Sequence, residues 1–276
     1  MAGVDFRSLL RFGQTGQEVL TLILPVEGVQ GSACDYSVII PAYNEEDYLS
    51  LTLEALHEAR NAVPHLTGEC LVVDNHCTDR TVEIAQKFGC RVIFEPVHKI
   101  AKVRNAGANA STGAFLIFVD ADTIVPVETF QIALKALHED NIGCGGARLG
   151  FDQDHDRWFS GVFLPAMWNL ISQKFRLFAG SFIFCRRDLF FLAGGFPETH
   201  FAGEEIVLSK KLKKESKKAG LGVLVIISPP VVSSARKLEW YSDWSILKMI
   251  LPLIGFPLFL RNQKACNFWY RRPSKD

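Results

Sequence analysis

The chain has 276 residues, 48% hydrophobic and 22% charged, so it can bury a large core and has the composition of a globular protein. Thirty Lys and Arg residues balance 30 Asp and Glu residues, and this zero net charge argues against nucleic acid as a partner. The seven cysteines are scattered without a C-x-x-C pair, which favours neither disulfides nor a zinc site and indicates a reducing, cytoplasmic location.

No segment of the sequence suggests export or membrane insertion. The early apolar run at residues 19–26 lacks a preceding basic region and a small-residue cleavage site. No run reaches the roughly 20 apolar residues needed to span a bilayer. Residues 1–34 are predicted to be an irregular extension with one candidate strand around residues 18–25.

From residue 36, short apolar runs alternate with helical stretches. Strands are predicted over residues 36–40, 70–74, 91–95 and 115–120, and helices over residues 46–60, 79–88, 101–110 and 127–139. Apolarity in these strands is continuous rather than alternating, which is typical of strands buried on both faces of a mostly parallel sheet. The sequence therefore predicts an open α/β domain with helices on each side of the sheet.

The second half of the chain departs from this alternation. Residues 151–185 are rich in aromatic side chains, and the corner at residues 194–197 (GGFP) precedes a helix that begins at residues 203–205 (GEE) and runs to about residue 219. A late apolar run covers residues 221–232. We expect a helical and aromatic lobe on the same domain.

Polar residues follow three of the predicted strands, at residues 41–45, 74–79 and 120–123. Ligands of such sheets bind at the carboxyl ends of the strands, so these turns are expected to converge on one edge. The carboxylates of Asp120 and Asp122 would repel each other there unless a hard divalent cation with a bound diphosphate lies between them. Capping of the helix at 127–139 is the plainer alternative for Asp122.

Three further groups are candidates for chemistry. Glu204 and Glu205 begin a helix, where carboxylates are generally favoured, but their place after a rigid corner also suits a general base. Basic residues at the start of the helix at 101–110 suit a phosphate or a base edge, although exposed basic residues are more often solvated surface. Arg236, after the late apolar run, is a weaker candidate for contacting a diphosphate.

Six motifs occur in order between residues 36 and 237. They read P-A-Y-N-E-E, V-V-D-N-H-C-T-D-R-T, K-x-R-N-A-G, F-V-D-A-D-T, R-R-D-L-F-F-L-A-G-G-F-P-E and G-E-E. In this order the chain resembles the family 2 glycosyltransferases with the GT-A fold, and so many ordered matches make chance a poor explanation.

The resemblance implies a binding site for a nucleoside-diphosphate sugar, expected to carry uridine. The residues expected to form this donor site are Pro41, Tyr43, Glu45, Asp74, Lys102, Arg104, Asp120, Ala121, Asp122 and Arg236. Within it, Asp74 is implied to bind the base, and Asp120 and Asp122 to bind the ribose and a Mn²⁺ or Mg²⁺ ion with its diphosphate.

The resemblance also implies the catalytic residues. The family usually has Glu-Asp at the position of Glu204 and Glu205, and its second acid is the catalytic base, so Glu205 is the expected base and Glu204 is expected to contact the acceptor. The reaction would be inverting sugar transfer to a hydroxyl or phosphate acceptor, with lipid-linked molecules and glycans as candidates.

The sequence departs from the family pattern at three places. Residues 74–79 read D-N-H-C-T-D where the family often has D-D-G-S-T-D, so one base-reading carboxylate is an amide. Glu205 is one methylene longer than the usual Asp, which could displace the base by about 1 Å. No histidine follows the late strand to complete a metal shell.

The expected domain organisation is an extension at 1–34, a GT-A domain at 35–237 and a C-terminal amphipathic helical segment at 238–276. The domain would divide into a nucleotide-binding half at 35–125 and an acceptor half at 126–237. Residues 246–260 contain 11 apolar residues in 15, and Trp269, Tyr270 and two arginines follow them. This pattern suits either peripheral contact with the inner face of a membrane or packing against the protein itself.

Two other functions are open on the sequence. Sugar-phosphate nucleotidyl transfer is disfavoured, because an enzyme of that class would require a glycine-rich phosphate-binding loop, and residues 41–46 contain no glycine. The alternative is a non-catalytic module of the same fold that binds a sugar nucleotide or a membrane surface.

Overall fold

The computed structural model describes residues 34–152, 163–236, 243–244, 260–262 and 266. The candidate strand around residues 18–25 and nearly all of the C-terminal segment at 238–276 lie outside these residues. Within the described part of the chain, no helix is long and apolar enough to cross a membrane.

Strands and helices alternate along the first half, as the sequence predicts. The strands are β1 Cys34–Ala42, β2 Gly68–Asp74, β3 Arg91–Phe94, β4 Gly113–Val119, β5 Thr123–Ile124, β6 Ile142–Phe151, β7 Phe182–Arg186 and β8 Gly222–Ser233. The helices are α1 Leu49–Asn61, α2 Thr81–Lys87, α3 Ile100–Ala110, α4 Val127–His138, α5 Leu164–Phe175, α6 Arg187–Leu192 and α7 Glu204–Lys218.

The strands of the described residues form one mixed sheet in the order β3-β2-β1-β4-β7-β6-β8-β5. Strands β3, β2, β1 and β4 are parallel to one another, which puts their carboxyl ends on the same edge. Strand β7 pairs antiparallel with both β4 and β6, β8 runs parallel to β6, and β5 pairs antiparallel with β8. The expected open α/β sheet is confirmed, and each antiparallel pairing involves β7 or β8, which come from the second half of the chain.

The central strands are buried on both faces, which explains their continuous apolarity. Val38 and Ile40 of β1 pack on the face covered by α1 and α4, while the intervening Ile39 packs on the face covered by α3, α6 and α7. Close packing also determines one residue of α3, because a Cβ atom on Gly107 would lie 2.4 Å from the Ile39 side chain. Helices on both faces therefore hold the strand ends, and the turns that follow them, in place.

One part of the aromatic-rich stretch lies in the sheet itself. Phe182 and Phe184 of β7 are fully buried, and this strand lies between β4 and β6 rather than in a separate lobe. Its insertion makes the predicted nucleotide-binding and acceptor halves parts of one continuous sheet. The late apolar run at 221–232 forms β8, and the residues after it return to the edge where β4 ends, since the Ser234 N–H donates to Asp122 O (3.0 Å).

Candidate active site

The turns that follow β1 and β2 are interlocked. The Asn44 side chain accepts a hydrogen bond from the Thr78 backbone N–H (2.7 Å). Each turn contains a residue in the left-handed region, Asn44 at φ 53° and His76 at φ 63°. His76 occupies the place of the glycine in D-D-G-S-T-D, which would adopt this conformation without steric cost. A His76 ring nitrogen lies 2.8 Å from Pro96 O, so this side chain also joins its turn to the loop after β3.

Asn75 supports the loop between β3 and α3 rather than a ligand. Its side chain is buried, and its Nδ2 donates to the backbone oxygens of Glu95 (2.6 Å) and Val97 (3.1 Å). Its Oδ1 lies 2.8 Å from His98 Nδ1. The amide that replaces a carboxylate of the family pattern therefore has a structural explanation, because a carboxylate could not donate to two carbonyl oxygens.

We expect the Asn75→Asp substitution to lower the free energy of unfolding by about 2–4 kcal/mol, because it would leave a buried carboxylate facing two carbonyl oxygens that have lost their donor. Urea denaturation would measure the change. Asn141→Asp is the matched control, since it makes the same chemical change at an exposed position. Equal losses in the two variants would contradict the structural role of Asn75.

Asp74 presents a partly exposed carboxylate beside this loop. Its Oδ1 accepts the Cys77 backbone N–H (2.8 Å), and the carboxylate also interacts with the Cys77 thiol. Nearby, the rings of Tyr43 and His98 lie with their centroids 4.3 Å apart. Burial, with a smaller effect of the His76 charge, holds the pKa of His98 below its usual value, so this ring is neutral at pH 7. A hydrogen-bond acceptor beside neutral aromatic rings suits a nucleotide base.

Arg236 links Asp122 to the turn after β1 by forming an ion pair with each of them. The Arg236 Nη2 atom lies 2.6 Å from Glu45 Oε2 and 3.0 Å from Asp122 Oδ2, and its guanidinium lies 4.5 Å from the ring centroid of Tyr48. Burial acts to lower the pKa of Arg236, but the charges of Glu45 and Asp122 outweigh it and raise that pKa. Arg236 and Glu45, both expected to contact the nucleotide, thus contact each other.

The Asp120–Asp122 turn is attached to α1 by its central residue. Ala121 is buried, and its carbonyl oxygen accepts the Thr52 hydroxyl (2.9 Å). The Asp120 side chain is 32% exposed, whereas that of Asp122 is 11% exposed. Ala121 therefore orients the two carboxylates rather than contacting a ligand through its own side chain.

These carboxylates fit a cation that is held mainly by its substrate. Asp120 Oδ2 makes no hydrogen bond or ion pair with a described residue, and the hydrogen bond between Asp122 Oδ1 and Ser233 Oγ is long, at 3.4 Å. In the described residues no three His, Cys, Asp or Glu side chains lie close enough to hold a metal ion. Mg²⁺ and Mn²⁺ accept oxygen ligands, and Mg²⁺ commonly takes one or two carboxylates, with substrate phosphates and water completing its shell. The donor set fits that arrangement.

Arg104 joins the strand-end carboxylate to the start of α7. Its Nη2 atom lies 2.7 Å from Asp120 Oδ1 and its Nη1 atom 2.8 Å from Glu204 Oε1, and its side chain is 4% exposed. Nη2 also donates to Gly180 O (3.2 Å), in the loop before β7. Burial opposes the charge, but Asp120 and Glu204 raise the pKa of Arg104. Arg104, which is expected to contact the nucleotide, thus links two carboxylates of the site.

Glu204 and Glu205 have different environments although they are adjacent. The Glu204 side chain is 6% exposed and ion-paired with Arg104. The Glu205 carboxylate forms no ion pair with a described residue, and it accepts a hydrogen bond from its own backbone N–H. Burial, and then the charge of Glu204, raises the pKa of Glu205 to about 8. An unpaired carboxyl group with this pKa is suited to proton transfer near neutral pH.

Asn105 of α3, which the sequence does not mark as a candidate site residue, anchors the corner before α7. Asn105 of α3 accepts the Phe196 backbone N–H (2.9 Å) and donates to Phe196 O (3.0 Å). A Cβ atom on Gly195 would lie 2.8 Å from Asn105 Oδ1, and the positive φ of 62° also favours glycine there. Asn105 of the K-x-R-N-A-G motif and Gly195 of the corner therefore pack directly against each other.

Two expected donor-site residues lie apart from the cluster. Pro41 is buried within β1, in register with Val73 of β2. Lys102 forms an exposed ion pair with Glu198 (3.8 Å), on the surface of α3. The site thus comprises Asp74 with the Tyr43 and His98 rings, the carboxylates bound by Arg236, and the carboxylates bound by Arg104.

Comparison with known proteins agrees with this fold. The mannosyltransferase PcManGT of Pyrobaculum calidifontis, solved with GDP-Man and Mn²⁺, superposes with a TM-score of 0.58 at 19% identity, covering 85% of this chain and 64% of that one. Glucosyl-3-phosphoglycerate synthase of Mycobacterium tuberculosis, solved with Mn²⁺, UDP and glucosyl-3-phosphoglycerate, superposes with a TM-score of 0.53 at 18% identity, covering 85% of this chain and 81% of that one.

Sequence comparison identifies the family. The Staphylococcus aureus poly(ribitol-phosphate) beta-N-acetylglucosaminyltransferase TarS is 32% identical over 111 residues, which are 38% of this chain and about a fifth of that protein (19%). The family model described as Glycosyl transferase family 2 matches residues 37–191, more than half of the chain. This match includes the interlocked turns, Arg104 and the Asp120–Asp122 turn, and it establishes that the chain belongs to glycosyl transferase family 2.

Proposed function

We propose that this chain is a metal-dependent, inverting glycosyltransferase that moves a sugar from a nucleoside-diphosphate sugar to a hydroxyl or phosphate group of an acceptor. The observation that carries the proposal is the cluster around Arg104, which joins Asp120 at the end of β4 to Glu204 at the start of α7. We assign Asp120 to the donor side and Glu204 to the acceptor side, and the support is that one arginine pairs with both. Glu205, which follows Glu204, forms no ion pair with a described residue.

In the proposed reaction, an acceptor oxygen forms a bond to the anomeric carbon while the bond from that carbon to the diphosphate oxygen breaks. The diphosphate leaves with the bonding electrons, and attack from the opposite face inverts the carbon. When the acceptor is a hydroxyl, Glu205 takes its proton. Glu204 and Arg104 position Glu205, and Asp74 with the nearby rings binds the base.

Asp120 and Asp122 would hold Mn²⁺ or Mg²⁺ between the chain and the diphosphate, where the ion neutralises negative charge on the leaving group. Arg236 keeps Asp122 and Glu45 oriented through its two ion pairs. Because the chain offers few ligands, we propose that the ion binds together with the nucleotide. The donor nucleoside is proposed to be uridine, supported by the UDP bound to the Mycobacterium tuberculosis enzyme.

We expect UDP to bind at least ten times more tightly with Mn²⁺ than with EDTA, and Asp122→Ala to remove this difference. Isothermal titration calorimetry would measure both, with GDP as the competing nucleotide. Asp140→Ala is the matched control, since Asp140 is an exposed acid outside the site. Equal UDP affinity in Mn²⁺ and EDTA would contradict metal dependence.

Turnover separates the enzyme from the non-catalytic module. The proposed enzyme releases UDP from a UDP-sugar slowly in water and faster with an acceptor, whereas a binding module retains the intact UDP-sugar. A coupled UDP-release assay with a panel of UDP-sugars distinguishes the two. Binding of a UDP-sugar without any UDP release would favour the module.

A cytoplasmic location with peripheral contact at the inner face of a membrane is also part of the proposal. Its support is the apolar run at 246–260 and the aromatic and basic residues after it, which lie almost entirely outside the described residues. A lipid-linked acceptor would be consistent with that location.

A further inference from the structure

Two of the seven cysteines lie side by side in the sheet although they are distant in the sequence. Strands β2 and β3 are parallel with Leu71 opposite Arg91, so continuing this register back by one residue places Cys70 opposite Cys90. Both side chains pack in the core on the face covered by α1. Neighbouring strands lie about 4.8 Å apart, and disulfides join residues whose Cα atoms are roughly 4.4–6.8 Å apart. A disulfide could therefore link the two thiols without a large movement of the backbone.

Both thiols line a small cavity that lies against α1 and has a volume of about 10 Å³. This is about the volume that one water-sized molecule needs. His57 and Phe88 also line the cavity and are exposed, so it opens towards solvent. Cys90 itself is only 8% exposed. A small oxidant therefore has access to the pair, whereas the active site of another protein does not.

Arg60 places a positive charge beside the two thiols and also lines the cavity. Its Nη2 donates to Gly68 O (2.8 Å), whereas its Nε is buried and has no hydrogen-bond partner among the described residues. A hydrogen bond from the Cys70 thiol lowers the pKa of Cys90, burial opposes this effect, and the charge of Arg60 lowers that pKa further. The same hydrogen bond, together with burial, raises the pKa of Cys70 well above its usual value. Cys90 is therefore the better nucleophile of the two.

We propose that Cys70 and Cys90 are a redox modification site, at which hydrogen peroxide forms a disulfide between them. The Cys90 thiolate attacks one peroxide oxygen, an S–O bond forms as the O–O bond breaks, and hydroxide leaves. The Cys70 sulfur then attacks the Cys90 sulfur, an S–S bond forms as the S–O bond breaks, and the Cys70 proton leaves with the hydroxyl group as water. The two thiols together lose two electrons, and the peroxide is reduced to two molecules of water.

The disulfide would secure the edge of the sheet. In the part of the chain that the structure describes, β3 is the edge strand, has four residues and pairs with β2 alone. A bond between Cys70 and Cys90 would attach the amino end of β3 to β2 covalently. The pair lies towards the amino ends of these strands, whereas Asp74 lies at the carboxyl end of β2. This inference is therefore independent of the proposed glycosyl transfer.

Peroxide treatment of the folded full chain, followed by thiol blocking with N-ethylmaleimide and peptide mass spectrometry, tests the proposal. The Cys70–Cys90 disulfide should form at least about ten times faster than one between Cys144 and Cys185. That second pair is the matched control, because its residues are also opposite each other in the sheet but are fully buried. Burial raises the pKa of both of its thiols. Cys90→Ala should abolish the first disulfide, and Cys144→Ala should leave its rate of formation unchanged.

Two results would overturn the assignment without any variant. One is that Cys70 and Cys90 remain free thiols at a peroxide dose that oxidises the partly exposed Cys34. The other is that the two pairs form disulfides at equal rates, since this would indicate reaction in the unfolded chain.

Amide hydrogen exchange tests the consequence for the edge strand. The backbone amides of residues 91–94 should exchange about ten times more slowly in the oxidised protein than in the reduced protein, because opening of β3 would be restricted. Dithiothreitol should reverse the change, and the amides of β7, in the middle of the sheet, should not respond. Equal exchange of residues 91–94 in the two forms would show that the disulfide does not secure β3.

Discussion

Replacing Arg104 with methionine is expected to lower the free energy of unfolding by about 3–5 kcal/mol, because it leaves Asp120 and the buried Glu204 carboxylate without their common partner. Methionine keeps much of the side-chain length and packing, so the loss would come mainly from the unpaired charges. Thermal and urea unfolding would measure it.

Lys102→Met is the matched control, since it removes the same charge two residues earlier on α3, where the ion pair with Glu198 is exposed. We expect that variant to lose less than about 1 kcal/mol. Adding Glu204→Gln to Arg104→Met should recover part of the loss, because the second substitution removes one unpaired charge. Arg104→Lys should fall between the wild type and Arg104→Met, since an ammonium group cannot bridge two carboxylates as a guanidinium does. Equal stability of Arg104→Met and Lys102→Met would show that Arg104 does not hold the two carboxylates together.

Replacing Glu205 with glutamine is expected to reduce the rate of transfer to a hydroxyl acceptor by about 100- to 10,000-fold, the usual range for loss of a general base. UDP binding should survive, because Asp74 and the Asp120–Asp122 turn are unchanged. For the wild type, kcat/KM should rise with pH until about pH 8, since Glu205 must lose its proton to act as a base. Glu198→Gln, at an exposed position in the loop before α7, is the control and should keep both rate and pH profile.

The same variant should be more stable than the wild type above about pH 4.5. Between the ordinary pKa of 4.5 and the folded-state value of about 8, the native protein holds a proton on Glu205 that the unfolded chain has lost. The wild type therefore loses stability as the pH rises through this window, by at most about 1.4 kcal/mol per pH unit. The advantage of the glutamine variant should grow up to about pH 8 and then level off. An advantage that shrinks with rising pH would contradict the raised pKa.

Much of the first half of the fold could be predicted from local sequence. The strands at 36–40, 70–74, 91–95 and 115–120 have continuous apolar runs, and the structure shows why: alternate residues of β1 pack against helices on opposite faces. The ends of these strands can also be predicted, because polar residues interrupt the apolar runs where each strand leaves the core. In contrast, the sequence does not predict β7 as a strand of the sheet, and its residues fall within the expected helical and aromatic lobe. Its aromatic composition does not distinguish a central strand from a packed helix, and only its antiparallel pairing with β4 and β6 does.

The sequence alone determined which residues could carry chemistry, since carboxylates, basic residues and glycines stand at strand ends and helix starts whatever the tertiary structure. Which of them contact each other was decided only by the fold. Arg104 meets Glu204 across 100 residues of sequence because α3 and α7 pack on the same face of the sheet. Arg236 meets Asp122 because β8 returns to the edge where β4 ends. Glu205 and Glu204 differ in their ion pairing for the same reason. Arg104 pairs with the Glu204 carboxylate and not with that of Glu205. Tertiary packing determines this difference, and the local sequence does not predict it.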